Sequence, residues 1–251
     1  MPSALIVALG LAVGSFVTVC VHRLPRGESV VTPGSRCPAC ARPIRWSDNV
    51  PLVGYLRRRG RCRECGAPIS PLYPLVELAT PALFLLQYGE LGWQPLLPAR
   101  LAFTSALLVL GLIDLHHRIL PNTITLPGTA LGLALSVGLE PGPVAALAGT
   151  AVGAGVPLAI ALLYRRLRGV EGLGMGDVKM LAMIGAWLGW QAALLTLLAA
   201  SVLGSLVGLA VLATGRGDGR YPLPLGSFLA VAAFASTLVG DELIAWYATF
   251  C

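Results

Sequence analysis

The chain has 251 residues, of which 56% are hydrophobic and only 12% are charged, and its formal net charge is +6. Soluble domains carry about 25% charged residues, so this composition excludes a soluble globular protein and indicates a membrane protein. A first helix is predicted over roughly residues 2–21, since Ala4–Val21 is apolar and nearly as long as the roughly 20 residues that span a bilayer. The segment has no basic start, and we expect a retained helix with its N-terminus outside.

A polar, arginine-rich insert follows at about residues 22–71, and it contains four of the six cysteines. Cys37 and Cys40 form one C-x-x-C pair, and Cys62 and Cys65 form a second. Two such pairs are typical of a zinc ribbon, in which four thiolates hold one zinc ion. A segment this short has little core of its own, so a structural metal is expected to stabilise it.

Two disulfide bonds are the alternative interpretation of these four cysteines. The insert is expected to lie in the cytoplasm, and that compartment is reducing, so zinc is favoured. A catalytic zinc is not expected, because four cysteines leave no open coordination position. Cys20 and Cys251 have no partner in this pattern and are interpreted as packing residues.

Seven further helices are predicted after the insert, with proline or glycine at most of their connections. Their approximate ranges are 72–88, 97–115, 122–139, 143–164, 176–189, 191–213 and 224–248. The predicted fold class is therefore an all-α polytopic membrane protein, with about eight transmembrane helices and a small cytoplasmic zinc-ribbon-like insert. No soluble second domain and no solenoid repeat is expected.

The positive charges support this topology. Short cytoplasmic loops of membrane proteins are enriched in lysine and arginine. Of the 18 basic residues, 16 lie in the odd-numbered connections, among them Arg118 and the pair Arg216 and Arg220, while Arg100 and Lys179 are the exceptions. Because the charge follows the ends of helices, we expect contact with membrane lipid and no binding of nucleic acid.

Three acidic residues lie in or beside apolar segments, namely Glu77, Asp114 and Asp177. An ionisable group in the membrane costs about 2.5–3.5 kcal/mol on insertion scales, and such residues usually have a function. The topology places Asp114 at the cytoplasmic end of the third helix and Asp177 at the cytoplasmic start of the sixth. The two carboxylates are therefore predicted on the same side of the membrane and at similar depth.

Two facing carboxylates can share one proton, which suits peptide hydrolysis without a cofactor. The ionised member takes a proton from the attacking water, and the protonated member polarises the carbonyl. Other interpretations remain open at this point. Asp114 could be a helix-end carboxylate held by Arg118, and Asp177 could be favoured by the helix dipole. A pair of acids also suits an ion-coupled transporter, and a non-enzymatic scaffold of a pilus or secretion complex is a third alternative.

Several residues beside the two aspartates are candidates for supporting roles. Gly174 and Gly176 would let an extended substrate backbone approach Asp177. Lys179 lies two residues after Asp177, so the two side chains point apart on a helix, and it is a candidate for substrate binding. His116 and His117 are more typical of a membrane interface than of a catalytic site.

Several segments together resemble the bacterial type IV prepilin peptidases, which are aspartic peptidases of the GxGD type. The region Gly174–Trp190 carries the Gly-x-Gly-Asp motif, and similar segments cover nearly the whole chain. These segments are Gly14–Pro25, the paired cysteines, Tyr73–Leu78, Ile113–Pro121 and Leu223–Leu229.

The resemblance implies cleavage of type IV prepilin and pseudopilin precursors after a glycine, at the end of a short basic leader. Asp114 and Asp177 match the catalytic aspartates of the family. Two positions depart from the family pattern: Asn122 stands where an aspartate is frequent, and Thr18 stands where an asparagine is frequent. Neither change removes a catalytic aspartate.

The resemblance also implies a second activity, since relatives with the cysteine-containing insert typically methylate the new N-terminus with S-adenosylmethionine. Glu77 could bind either the new amino terminus or the methyl donor, and the alternative is a carboxylate capped within the second helix. The implied division assigns residues 1–95, including the insert, to methyl transfer and residues 96–251 to the peptidase. The implied location is the inner membrane, crossed many times, with the active site at the cytoplasmic face.

Overall fold

A computed structural model describes residues 2–170, 172–214 and 223–250. Arg216, Arg220 and Cys251 lie outside these residues. Within the described chain the regular structure is helical, and isolated bridges occur in place of strands. The all-helical prediction is confirmed.

Nine α-helices follow one another along the described chain, and eight of them correspond to the eight predicted helices. They are α1 (Pro2–Arg23), α2 (Val53–Arg57), α3 (Leu72–Leu91), α4 (Leu96–His117), α5 (Asn122–Leu135), α6 (Pro143–Arg168), α7 (Met175–Leu188), α8 (Trp190–Ala213) and α9 (Leu225–Ala248). The short α2 lies in the insert and was not predicted. Helix α6 continues to Arg168, because the three arginines of its last turn suit the negative end of a helix dipole.

Five segments of the described chain are long and apolar enough to cross a membrane, judged by length and composition. They are Pro2–Arg26, Leu96–His117, Pro143–Arg168, Trp190–Ala213 and Leu225–Ala248. Helices α5 and α7 have 14 residues each, which at about 1.5 Å per residue is shorter than the roughly 30 Å hydrocarbon core. The predicted count of eight spans therefore stays a prediction.

The chain divides into an N-terminal unit, Met1–Leu97, and a C-terminal unit, Pro98–Cys251. In the N-terminal unit, α1 and α3 pack together through two glycines of α1. A Cβ on Gly10 would lie 2.5 Å from the Cα of Pro81, and a Cβ on Gly14 would lie 3.0 Å from the Cα of Glu77. This small-residue spacing lets the two backbones approach closely.

The insert contains two turns of the same design, one for each C-x-x-C pair. In the first, the Cys37 N–H donates to the Arg42 carbonyl at 2.9 Å; in the second, the Cys62 N–H donates to the Ala67 carbonyl at 2.8 Å. The equivalent residues Ala41 and Gly66 both have positive φ, at 57° and 71°. Each pair of cysteines is therefore presented on a tight turn whose backbone bonds are satisfied locally.

In the C-terminal unit, α6 and α7 contact each other through their backbones. A Cβ on Gly149 would meet the Gly185 carbonyl, and a Cβ on Gly153 would meet the Leu181 carbonyl. On another side of α7, Trp187 donates from its indole N–H to the Gly128 carbonyl of α5 at 2.8 Å and stacks on Phe103 of α4. Helix α7 is thus held by three neighbouring helices, and it carries Asp177 in its first turn.

Candidate active site

Asp114 lies near the C-terminal end of α4, where its side chain is only 5% exposed. Its oxygen Oδ2 accepts a hydrogen bond from the Ser227 backbone N–H at 2.8 Å, and Ser227 Oγ lies 3.3 Å from the same atom. A buried carboxylate needs such donors, because it has lost its hydration.

Ser227 stands in the first turn of α9, and this position explains its contact with Asp114. The first N–H groups of a helix have no partner within the helix, so they are available to an acceptor outside it. The Ser227 hydroxyl also lies 2.9 Å from the Gly111 carbonyl of α4, one turn before Asp114. Gly226 has no side chain, and a Cβ there would lie 3.0 Å from Asp114 Oδ2.

Asp177 is the third residue of α7, and its carboxyl group turns back towards the start of that helix. A Cβ on Gly174 would lie 3.2 Å from Asp177 Oδ2. The third helical residue thus turns towards the cap residue, as the acidic residue of a capping box does. Asp177 is half-buried, and its carboxylate therefore remains partly accessible.

The connection between α4 and α5 brings the starts of α7 and α9 next to each other. Leu120 contacts both, since a Cβ on Gly176 or on Gly226 would lie 3.0 Å from its side chain. Through Leu120, the helix starts beside Asp114 and Asp177 are held on the same side of this unit. Two carboxyl groups that meet can hold a single proton between them, which is the arrangement that acid–base hydrolysis needs.

Lys179 does not point at the aspartates. Its Nζ donates to Asn122 Oδ1 at 3.0 Å, which ties the first turn of α7 to the first residue of α5. Asn122 is the position at which an aspartate was expected from the resemblance, so an amide here accepts the bond that a carboxylate would accept. His116 and His117 are exposed at the end of α4, and His116 Nδ1 contacts the Leu112 carbonyl of its own helix.

In the N-terminal unit, the structure brings the four predicted cysteines together. The Sγ atoms of Cys37, Cys40, Cys62 and Cys65 all lie within 4.8 Å of one another, and the four thiols are free. Cys37 Sγ is 3.8 Å from Cys65 Sγ, which matches the about 3.8 Å edge of a tetrahedron with 2.3 Å zinc–sulfur bonds. Backbone N–H groups of Cys65 and Glu64 lower the pKa of Cys62 to about 6, which favours the thiolate that a metal requires.

The same insert contains a small ionic cluster around Asp48. Arg58 Nη2 lies 2.9 Å and Arg63 Nη1 lies 3.4 Å from the carboxylate oxygens of Asp48. Although burial raises the pKa of Asp48, the hydrogen bonds and charges of the two arginines hold it below its usual value. Asp48 therefore stays ionised down to a lower pH than a free aspartate, and it links the short α2 to the second cysteine pair.

Glu77 lies on α3 and is 8% exposed. Its oxygen Oε2 accepts a hydrogen bond from the Leu52 N–H at 2.8 Å, so it is not capped within its own helix, as one alternative supposed. Leu52 has a positive φ of 60° and precedes the short α2. Glu77 therefore connects α3 to a bend in the insert.

Comparison with known proteins decides the family. The model of the type IV leader peptidase family matches residues 101–209, and the model of the bacterial peptidase A24 N-terminal domain matches residues 8–91. A prepilin leader peptidase/N-methyltransferase of Stutzerimonas stutzeri is 38% identical over 96% of this chain and 92% of its own length. Proteins of the same name are 37% identical in Pseudomonas aeruginosa (97% of this chain, 92% of the relative) and 46% identical in Klebsiella pneumoniae (76% and 87%).

The chain belongs to the type IV leader peptidase family. No solved structure matches it. Within this leader peptidase, Asp114 and Asp177 fall in the segment matched by the peptidase family, whereas Glu77 and the four cysteines fall in the segment matched by the N-terminal domain.

Two contacts that support the site of this leader peptidase were not predicted from the sequence. The resemblance includes Ser227 only as part of the segment Leu223–Leu229, although a serine in the first turn after Pro224 is a recognisable donor position. The partner of Lys179 was also missed, because Asn122 is 57 residues away along the chain. The sequence near Ser227 or Lys179 does not indicate which distant residue accepts its hydrogen bond.

Proposed function

We propose that this chain is a membrane-embedded aspartic endopeptidase that removes the leader from type IV prepilin and pseudopilin precursors, and that it then N-methylates the new N-terminal residue. Cleavage follows a glycine and takes place at the cytoplasmic face of the inner membrane. The observation that carries the peptidase proposal is that Leu120 packs against both Gly226, which adjoins Asp114, and Gly176, which precedes Asp177. The family and the names of its relatives support the same conclusion.

The hydrogen bonds around the two aspartates suggest different roles for them. Asp114 accepts a bond from the Ser227 backbone N–H, and a donor of this kind favours the ionised form of a carboxylate. Asp177 is half-buried beside Gly174 at the start of α7. In the proposed mechanism Asp114 takes a proton from water, and Asp177 holds the shared proton against the scissile carbonyl.

The glycines around Asp177 suit an extended substrate. Gly174 carries no side chain and is exposed, so the half-buried carboxylate of Asp177 stays approachable from its side, whereas Gly176 makes room for Leu120. The substrate backbone must be extended at the scissile bond to reach the carboxyl groups. The glycine that precedes the cut allows this conformation. Lys179 Nζ already donates to Asn122 Oδ1, so its proposed role is to fix the start of α7 and not to bind substrate directly.

The residues of the cysteine cluster fit a structural zinc ion. Four thiols at tetrahedral spacing, on two turns of matching design, supply a complete set of ligands. In the proposed enzyme Cys37, Cys40, Cys62 and Cys65 hold zinc, which stabilises an insert that has few buried apolar side chains of its own. Residues 1–95 would serve methyl transfer, and residues 96–251 would serve cleavage.

The proposed location is the inner membrane, crossed many times, with the N-terminus outside and the insert in the cytoplasm. The basic end of α1, with His22 and Arg23, and the three arginines that end α6 support this orientation, because positive charge accumulates at cytoplasmic helix ends. The substrate is itself a membrane protein, so it would meet the enzyme from within the lipid.

A cleavage assay tests the peptidase proposal. Purified chain in detergent is mixed with a precursor pilin, and loss of the leader is followed by mass spectrometry. Asp114→Asn and Asp177→Asn should each lower the rate on the order of 10²–10⁴-fold, since each removes one half of the acid–base pair. Glu242→Gln is the matched control, because Glu242 is an exposed acid of α9. The proposal is wrong if both asparagine variants cut like the parent.

A further inference from the structure

The short helix α2 of the insert has two faces with different surroundings. Gly54 and Tyr55 line a cavity of about 410 Å³ that the insert forms with α1 and α3, where Glu77 is part of the lining. Val53 and Leu56 lie one helical turn apart and are not part of that lining. Their side chains are 56% and 72% exposed. The outer face of α2, defined by Val53 and Leu56, is therefore left uncovered by the residues that the structure describes.

The start of α2 lies beside the middle of a helix that is long enough to cross the membrane. The Leu52 N–H, directly before α2, donates to Glu77 Oε2 at 2.8 Å. The Cα of Glu77 lies 3.0 Å from the Cβ position of Gly14 on α1. Gly14 precedes the end of α1 at Arg23 by more than two helical turns, or about 13 Å at roughly 1.5 Å per residue. The Glu77 side chain leans back towards the start of α3 by only a few ångström, so Leu52 remains deeper than Arg23.

A second cavity of the N-terminal unit places the segment before α2 at a similar level. Its volume is about 400 Å³, and Asn49 and Pro51 of the insert line it together with Ala12 and Phe16 of α1. Ala12 and Phe16 belong to the apolar segment Pro2–Arg26. The hydrocarbon core extends about 15 Å on either side of the bilayer centre, so insert residues beside the middle of α1 lie at membrane depth.

The residues around the outer face of α2 are typical of a membrane interface. Arg57 and Arg59 follow Leu56 closely, are exposed, and take part in none of the ion pairs among the described residues. Trp46 is 83% exposed and lies in the helical turn that precedes α2. Tryptophan is enriched at the level of lipid headgroups, and arginine is attracted to anionic ones. The charges and the aromatic ring therefore favour a lipid surface as the partner of this face.

We propose that the outer face of α2 is embedded in the cytoplasmic leaflet. Val53 and Leu56 contact the acyl chains, and Trp46, Arg57 and Arg59 lie at the level of the headgroups. The choice of leaflet rests on the orientation proposed above for α1, whereas the contact with lipid does not. Lipid then fastens the insert to the membrane in addition to its contacts with α1 and α3.

Photocrosslinking of the full chain tests this proposal in nanodiscs of phosphatidylethanolamine with a minor share of phosphatidylglycerol. A benzophenone amino acid replaces Leu56, and mass spectrometry identifies what it joins. The yield of lipid adducts should resemble that at Leu198, an exposed position of the apolar α8, and should exceed that at Ala39 about tenfold. Ala39 is the matched control, because it is an exposed residue of the same insert between the first two cysteines. An adduct between position 56 and another part of the chain, or a lipid yield as low as at Ala39, would overturn the proposal.

A second measurement leaves α2 unchanged. The same nanodiscs are prepared with brominated acyl chains, and the difference in fluorescence between the parent and Trp46→Phe gives the emission of Trp46. Bromine should reduce this emission at least about twofold, because Trp46 lies next to the acyl region. Emission that bromine does not change contradicts the proposal. Cleavage of a precursor is measured in parallel: a parent that cuts but gives neither signal contradicts the lipid contact alone, whereas a parent that does not cut contradicts the proposed peptidase.

Discussion

The two units of the chain each bury a carboxylate on a helix, but they compensate for it differently. In the N-terminal unit, Glu77 has one recorded backbone donor and no acidic partner. In the C-terminal unit, Asp114 accepts from the Ser227 N–H, and Leu120 packs against both Gly226 beside it and Gly176 beside Asp177. A single buried carboxylate depends on its hydrogen-bond donors, whereas two carboxylates that meet can share a proton.

The units also differ in what holds them together. The N-terminal unit packs α1 against α3 and adds an insert with four clustered thiols. The C-terminal unit packs several helices through glycine contacts. The stability of the N-terminal unit should therefore depend on a metal. The stability of the C-terminal unit should depend on the absence of side chains at its helix crossings.

The largest expected effect concerns the metal. In the double variant Cys37→Ser/Cys40→Ser, bound zinc should fall from one ion per chain to none, because two of four ligands are lost. Since zinc and folding are coupled in small metal-stabilised segments, the insert should become sensitive to protease. Elemental analysis and limited proteolysis measure both effects, and the buried thiol variant Cys20→Ser is the control. A double variant that retains zinc would show that these cysteines are not its ligands.

The next effect concerns the crossing of α6 and α7. In Gly185→Ala the new Cβ would meet the Gly149 carbonyl, so the two backbones must separate. We expect a loss of about 1–3 kcal/mol in the free energy of unfolding, measured as a lower thermal midpoint in detergent. Gly155→Ala is the control, because nothing lies within 4 Å of a Cβ at that position of α6. Equal midpoints for the two variants would contradict this packing.

A smaller effect is expected at Ser227. Ser227→Ala removes the hydroxyl near Asp114 Oδ2 but keeps the backbone N–H donor. The rate of cleavage should fall about tenfold, since one hydrogen bond to a charged group is lost. Ser201→Ala on α8 is the control, because its hydroxyl bonds to a carbonyl of its own helix. If the hydroxyl only supports α9, the thermal midpoint would fall while the rate per folded molecule stays constant.

The smallest expected effect is a change in stability at equivalent positions of the two cysteine turns. Ala41 has a positive φ where the equivalent residue of the second turn is Gly66. Ala41→Gly should therefore stabilise the insert, by up to about 1 kcal/mol, because glycine adopts this conformation without steric cost. Gly66→Ala should have the opposite sign. Resistance of the insert to protease measures both, and changes of the same sign would disprove the equivalence of the turns.

The sequence predicted the parts of the fold that depend on local patterns. Apolar runs and their proline or glycine boundaries located all eight longer helices, and the C-x-x-C spacing located the thiol cluster. Helix α5 ends at Leu135 instead of near residue 139, because the chain turns there through Ser136, whose hydroxyl bonds back to the Leu133 carbonyl. Hydrophobicity alone gives no signal for such a turn.

The candidate site was only partly predictable. Asp114 and Asp177 were identifiable because acids in apolar segments are rare. Their supporting contacts join residues far apart in the chain, such as Ser227 with Asp114, which are 113 positions apart. The cavity beside Glu77 was not predictable at all, since it forms only when the insert folds against α1 and α3.

The backbone contact between α6 and α7 has a consequence for sequence variation. The glycines and carbonyls at this crossing fix the spacing of α7 from α6 independently of the side chains that face lipid. Leucine, valine and isoleucine residues that face lipid are then interchangeable without displacing the acid. Relatives that retain these glycines could replace much of their outer surface and still preserve the geometry of hydrolysis.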